Sequence, residues 1–238
     1  MGLRRTVKTQ TKKQPSSINT KVIKSMYKAT KLAAAIFAVG LLTVTQTQAS
    51  WVVGYPWGLT HNGSAYMTHG GDVMTATQPG QNGYKYNSGA SYSNNPLKCY
   101  GTKPTMGASA HCNVSATVRG VWPAYWLNNE GAYSSELDIA EWKGNGTCWM
   151  NTYDGSWEST GVTANNCDVK VQCTLINTAS GNAVRCQYYI NGSLRATHTC
   201  SNLRNKAMDL IRDLQMEGSS GSPGPTSARF TCSSTTSW

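Results

Sequence analysis

The sequence predicts an all-β sandwich or jelly roll, and three observations carry that prediction. Apolar and polar residues alternate with period two in several runs, most clearly through Val169, Val171, Cys173 and Leu175 and through Val184, Cys186, Tyr188 and Ile190. This is the pattern of strands with one face in a core. Clusters rich in Gly, Asn and Ser recur at short intervals, and no long stretch has convincing amphipathic-helix spacing. Residues 50–238 are enough chain for a single core.

Ahead of that domain, residues 1–49 read as a leader. The chain has 238 residues and a formal net charge of +10, which would suggest a nucleic-acid partner if the charge were spread over the fold. Nine of the 21 Lys and Arg lie in residues 1–49 and none of the 11 Asp and Glu do, so residues 50–238 are nearly neutral. No nucleic-acid partner is expected. The leader has a basic run ending at Lys31, an apolar run from Leu32 to Val44 and a small-residue exit at Thr47-Gln48-Ala49, the three parts of a secretory signal. Cleavage is expected after Ala49. The apolar run is 13 residues long, short of the roughly 20 needed to cross a bilayer. The protein is therefore read as secreted and without a stable membrane anchor; it is also expected to be a monomer. Met26 opens a signal of more ordinary length and is an alternative start.

In the mature region, residues 50–98 show turns at Asn62-Gly63, Gly70-Gly71 and Gly80–Gly83, with Trp51-Val52-Val53 as an edge strand. Tyr84, Tyr86 and Tyr92 alternate with small polar residues; they suit either sheet packing or a sugar cleft. From Asn113, Val114, Ala116 and Val118 lead into Gly120-Val121-Trp122-Pro123-Ala124-Tyr125-Trp126-Leu127, where Pro123 marks an edge, a bulge or a strand entry.

The next segment, Glu136-Leu137-Asp138-Ile139-Ala140-Glu141-Trp142, places three carboxylates within six residues. As a strand it sends Glu136 and Asp138 to one face and Leu137 and Ile139 to the other. Strict alternation would bury Glu141, but one extra residue in a β-bulge at Ala140 returns it to the acidic face. Such a surface suits glycoside hydrolysis, in which one carboxylate attacks the anomeric carbon and a second protonates the leaving oxygen. Glu136 and Glu141 are the candidate pair, and Asp138 between them keeps their charges unequal.

Beyond a turn at Lys143–Gly146, Cys148 to Tyr153 forms a strand carrying Trp149. A hairpin closed by residues 178–181 sets Leu175 opposite Val184 and Cys173 opposite Cys186, so a cross-strand disulfide is expected there. All eight cysteines follow the leader, and none has CxxC spacing, which argues for disulfides rather than a zinc or redox motif. Asn191-Gly192 signals a two-residue hairpin. Met208, Leu210, Leu214 and Met216 mark a further strand whose apolar face is interrupted by Arg212, and burying that residue unpaired would be costly. After the Gly/Ser/Pro loop at 218–225, the tail from Thr226 to Trp238 offers at most one short strand. Sequons at Asn62, Asn113, Asn145 and Asn191 suit a secreted chain.

The Trp-Pro-Ala-Tyr-Trp segment at 122–126 followed by Glu136–Trp142 resembles glycoside hydrolase family 16, the laminarinase, agarase and carrageenase group. Tyr188-Tyr189-Ile190-Asn191-Gly192 and Leu210–Gly218 also resemble that family, so the similarity runs over about residues 113–225. The resemblance implies a concanavalin A-like β-jelly roll of two curved antiparallel sheets. It implies retaining endo-hydrolysis of a β-linked polysaccharide, a β-1,3-glucan or a galactan, with Glu136 as nucleophile, Glu141 as general acid/base and Asp138 as the assisting acid. Trp122, Trp126, Trp142, Trp149 and Tyr153 are the candidate substrate-binding aromatics. Arg212-Asp213 stands where the resembled family usually has an apolar residue and an Asn.

Two other functions fit the same fold class. A polysaccharide lyase would need a proton-abstracting Tyr or His and a carboxylate-neutralising group, for which His111, Tyr153 and Arg119 are available. A lectin-like binding module would need no carboxylate cluster, and the three acids weigh against it. No cofactor and no catalytic metal are expected, since His61, His69, His111 and His198 lack ligand spacing; the resemblance does allow a structural calcium ion on the outer side of a sheet.

Overall fold

The computed structural model describes residues 46–54, 67–76, 86–115, 119–129, 135–152, 157–179, 181–217 and 227–238. All belong to one folded unit, Thr45–Trp238. The leader's basic and apolar runs, the sequon at Asn62 and the loop at 218–225 lie outside the described residues.

Strands dominate, and they form two antiparallel sheets. Numbered in chain order, the first sheet contains β1 (Thr47–Gln48), β3 (Met67–Gly70), β4 (Val73–Ala76), β6 (Thr105–Val114), β12 (Asn166–Thr178), β13 (Gly181–Ile190), β14 (Ser193–Cys200) and β16 (Ala228–Ser237). Its order is β14-β13-β12-β6-β16-β4-β3, with β1 also on β16. The second contains β2 (Trp51–Val53), β5 (Tyr86–Ser93), β7 (Val121–Asn128), β8 (Glu136–Trp142), β9 (Thr147–Thr152), β10 (Trp157–Glu158), β11 (Val162–Thr163) and β15 (Asp209–Glu217). Its order is β10-β9-β8-β7-β15-β5-β2, with β11 also on β9.

The core lies between the sheets and draws on the inward residues of both, among them Met106, Tyr125, Leu127, Leu137, Ile139, Val171, Tyr188, Leu214 and Phe230. Two tyrosines tie the layers with their hydroxyls, as buried phenols require a partner. Tyr125 Oη on β7 donates to the Ser109 carbonyl of β6 at 3.2 Å, and Tyr188 Oη on β13 donates to the Asn151 carbonyl of β9 at 2.9 Å.

The hairpin from β12 to β13 has the register its alternation predicts, with Leu175 against Val184 and Cys173 against Cys186. The Cys173 and Cys186 Sγ atoms are 3.0 Å apart. The Asn191-Gly192 turn also forms, both residues having the positive φ, 50° and 75°, that a tight two-residue hairpin demands.

Two strands depart from expectation. The tail is not marginal: β16 runs for ten residues in the middle of the first sheet, between β6 and β4. Its alternation is hidden by a register shift between Ser233 and Thr236, which moves the inward set from Phe230 and Cys232 to Thr235 and Ser237. β6 begins at Thr105, well before Asn113; its inward residues Met106, Ala108 and Ala110 are mostly too small to stand out as a strand. Close packing there excludes a larger residue. A Cβ on Gly107 would fall 2.4 Å from the Trp238 ring and 2.6 Å from the Val171 carbonyl oxygen.

At the start of the unit, Thr47 and Gln48 pair with Ser237 and Thr236, and Ala49 is buried. The expected signal exit is thus sheet-bound in the uncleaved chain, and cleavage after Ala49 would remove β1 and leave the other strands intact.

Candidate active site

β8 sits between β7 and β9, and its two faces have opposite characters. Leu137 and Ile139 enter the core, while Glu136 and Asp138 lie on the outer face. The predicted bulge is present. β7 pairs Trp126 with Asp138 and Tyr125 with Ala140, passing over Ile139, and the β8–β9 register shifts between Asp138 and Glu141. One extra residue on β8 restores Glu141 to the acidic face, where it lies opposite Ala124 of β7 and Trp149 of β9.

The same shift of parity corrects one of the predicted aromatics. Trp142, next after Glu141, points into the core and is 1% exposed. Its Nε1 donates to the Ala164 carbonyl at 2.5 Å, and its ring meets Phe230 edge-on at 5.8 Å. Trp142 is a core residue, with no face available to a sugar. Trp122, Trp126 and Trp149 do share the outer face with the acids, as the register of β7 and β9 requires. Tyr153 lies outside the described residues.

Each acid has a distinct environment. Burial raises the Glu136 pKa to about 7, the neighbouring Glu141 charge adds to this, and a hydrogen bond from Asn128 Nδ2 at 3.2 Å works against it. Asp138, 5% exposed, is pushed well above the usual carboxylate range by burial first and then by Glu141, Glu136 and Asp213, with Lys143 opposing. Burial and the neighbouring acids thus favour the protonated form of Asp138, which would ease the repulsion of three acids on one strand. Glu141 is held at both oxygens: Trp122 Nε1 donates to Oε1 at 2.5 Å, and Lys143 Nζ lies 3.2 Å from Oε2.

Several residues that sequence reading did not single out complete this face. Asn128 is next to Glu136 across the β7–β8 register. Asn151 on β9 lies opposite Asp138, beside the predicted Trp149, and the Asn151 Oδ1 and Trp149 Nε1 atoms are buried without a hydrogen-bond partner among the described residues. Asp213 on β15 lies opposite Ala124 on one side and Ala90 on the other, and accepts a hydrogen bond from Gln215 Nε2 at 3.1 Å. Beside it, Ile211, Ala90, Tyr92 and Trp126 make a small apolar patch on the same face. Alternation along β9 and β15 was the available signal: Asn151 shares parity with Trp149, and Asp213 with Ile211 and Gln215.

Arg212 takes the opposite parity and is 1% exposed, yet it is not unpaired. Its Nε donates to Ser91 Oγ at 2.8 Å, Nη2 donates to the Gly71 carbonyl, and the guanidinium lies 4.3 Å from the centre of the Trp51 ring.

Of the residues a lyase would need, His111 is not on this face. His111 lies on β6 of the other sheet, with its Nδ1 2.8 Å from Asp168 Oδ1, and Arg119 is in the turn before β7. Among the described residues no set of three or more His, Cys, Asp or Glu is gathered so as to hold a metal ion, so they offer the calcium ion allowed by the resemblance no such set of side chains.

No family model matches the chain. It is 32% identical over 203 residues to a galactan endo-β-1,3-galactanase of Flammulina velutipes, a match covering 74% of this chain and 79% of that protein. Among solved structures, an endo-1,3-β-glucanase from Streptomyces sioyaensis superposes with a TM-score of 0.52 at 16% identity, covering 82% of this chain and 95% of that one. A glycosyl hydrolase family 16 protein from Mycobacterium smegmatis gives 0.50 at 17% identity, covering 81% and 93%. These structures share the jelly-roll fold with the two-sheet sandwich described above. The sequence relationship and the bulged acidic strand together lead to one conclusion: the chain belongs to glycoside hydrolase family 16.

Proposed function

We propose that this protein is a secreted endo-acting glycosidase that hydrolyses β-1,3-linked galactan with retention of anomeric configuration. The observation that carries the reading is the bulge at Ile139–Ala140, which gathers Glu136, Asp138 and Glu141 on one face beside Trp122, Trp126 and Trp149. The galactan preference draws on the similarity to the fungal galactanase. Secretion draws on the leader.

In the first step the ionised Glu136 attacks the anomeric carbon. The glycosidic C–O bond breaks, and Glu141 gives its proton to the departing oxygen. In the second, water attacks the same carbon, Glu141 takes the water's proton and Glu136 leaves as a carboxylate. Asp138 lies between the two, and its raised pKa favours the neutral form, which adds no third negative charge. Asn128 steadies Glu136 in its charged form. Trp126 and Trp149 present indole faces to the C–H faces of the sugars.

The test is incubation of residues 50–238 with β-1,3-galactan, with β-1,3-glucan and a polyuronate as comparisons. Internal cleavage of the galactan, with the β-anomer appearing first by proton NMR, supports the reading. Faster cleavage of the glucan would overturn the substrate, an α-anomer the stereochemistry, and ultraviolet-absorbing unsaturated ends the reaction class. E136Q should lose turnover and keep its fold.

A further inference from the structure

Lys143 follows the acidic strand directly, where the chain leaves β8 for the turn through Gly144 and Gly146. Its ammonium lies 3.2 Å from Glu141 Oε2 and hydrogen-bonds Glu158 Oε1. It is also 6.0 and 5.8 Å from the ring centres of Trp122 and Trp149. Glu158 reaches it because β10 pairs with β9 at the edge of the sheet, Glu158 opposite Asn151. Desolvation disfavours the ammonium charge, but the hydrogen bonds and charges of Glu158 and Glu141 outweigh it and raise the Lys143 pKa.

With this contact Glu141 has a donor at each oxygen, the Trp122 indole at Oε1 and Lys143 at Oε2. Neither an indole N–H nor an ammonium can accept a proton in a hydrogen bond. A proton on Glu141 cancels the negative charge that attracts the ammonium. Trp122 is fixed by its place on β7, whereas Lys143 has a second carboxylate within reach.

We propose that Lys143 is a positioning residue for the acid/base cycle, holding Glu141 while that group is ionised and withdrawing to Glu158 when Glu141 carries the proton it will deliver. The proposal rests on the assignment of Glu141 as the general acid/base. Lys143 then favours the base form that activates water in the second step, and Glu158 limits that preference by competing for the same cation. Among the described residues, the other titratable groups around Glu141 are Glu136 and Asp138 on its own strand, Asp213 across Ala124 on β15, and Cys148 on β9. None is a cation, so none can replace Lys143.

The experiment is the pH dependence of kcat/KM on β-1,3-galactan for K143M, K143R and E158Q. K143M should move the alkaline limb upward by about one to three pH units, the range produced by losing an adjacent opposite charge. K143R should lie near wild type, and E158Q should move the limb downward, since its lysine is left to Glu141 alone. An alkaline limb within about 0.3 of a unit of wild type in K143M, with the wild-type melting temperature retained, overturns the proposal, as does an upward shift in E158Q. The assignment beneath it is read separately. E141A, given an aryl glycoside of β-1,3-galactobiose and azide, should return a β-glycosyl azide. Absence of that product removes the Glu141 assignment; its presence with an unmoved K143M limb removes only the role of Lys143.

Discussion

Trp122 and Glu141 are joined across β7 and β8 by an indole N–H to carboxylate hydrogen bond of 2.5 Å, between residues 19 positions apart in sequence. The bond aims Glu141 along the acidic face and occupies one of its two oxygens. A charge-assisted bond of this kind contributes about 1.5–3 kcal/mol. W122F, which keeps the aromatic bulk and removes the donor, should lower kcat/KM by roughly 10- to 100-fold, a range that follows from that energy. Steady-state kinetics on β-1,3-galactan would check it, and an unchanged kcat/KM would deny Trp122 this role.

The raised pKa of Glu136 predicts a pH signature in both activity and stability. The nucleophile must be ionised, so kcat/KM should decline as pH falls through about 7, with the apparent value belonging to the coupled acids rather than to Glu136 alone. For stability the sign follows from proton uptake. Folded Glu136 holds its proton up to about 7 and the unfolded group only to about 4.5, so its contribution is fully present below about 4.5 and is lost as pH rises through about 7. E136Q cannot ionise. At pH 8 it should be more stable than wild type by ~2 kcal/mol, a rise of roughly 4–8 °C in Tm. Thermal melts at pH 5 and pH 8 check this, with the gap expected to close at the lower pH.

Arg212 gives a prediction about structure alone. Its neighbours are a serine hydroxyl, a backbone carbonyl and an indole face, and burial pulls its pKa down. R212A should cost about 2–4 kcal/mol, because it empties a filled site and strands the Ser91 hydroxyl and Gly71 carbonyl. R212M, which refills most of the volume with apolar atoms, should recover at least about 1 kcal/mol of that loss. Denaturant unfolding of the two variants would separate these outcomes.

The facing sulfurs of Cys173 and Cys186 predict a covalent link in protein recovered from an oxidising secretory route. Each thiol would give up its proton and one electron to the oxidant of that compartment as the S–S bond forms. Mass spectrometry of an unreduced digest should find the two peptides joined. Recovery of both residues as separate, alkylated peptides would contradict the pairing.

What the sequence revealed, and what it hid, follows from how far each feature depends on neighbours in space. The β12–β13 register was legible because two long alternating runs meet through one short turn, so the position of Cys173 and Cys186 required no tertiary knowledge. The acidic face was legible once a bulge was allowed at Ala140. Trp142 was misplaced by the same reasoning carried one residue too few: the extra residue that brings Glu141 out sends Trp142 in. β6 was largely unseen because Gly107, Ala108, Ser109 and Ala110 have little strand preference of their own, and their conformation is imposed by β12 and β16 on either side. Glu158 was out of reach for another reason. It sits on a two-residue strand, and only the pairing with β9 brings it to Lys143. The roles of Asn128, Asp213 and Gln215 likewise needed the β7–β15 and β7–β8 registers.

The central claim is that the bulged strand makes Glu136 the nucleophile, with Glu141 rather than Asp138 as its partner. Treating the protein with a 2-deoxy-2-fluoro-β-glycosyl fluoride of β-1,3-galactobiose and sequencing the labelled peptide by mass spectrometry tests it most directly. The account predicts a single glycosyl ester on Glu136. A label on Asp138 or Glu141, or turnover of β-1,3-galactan to an α-configured product, would contradict it.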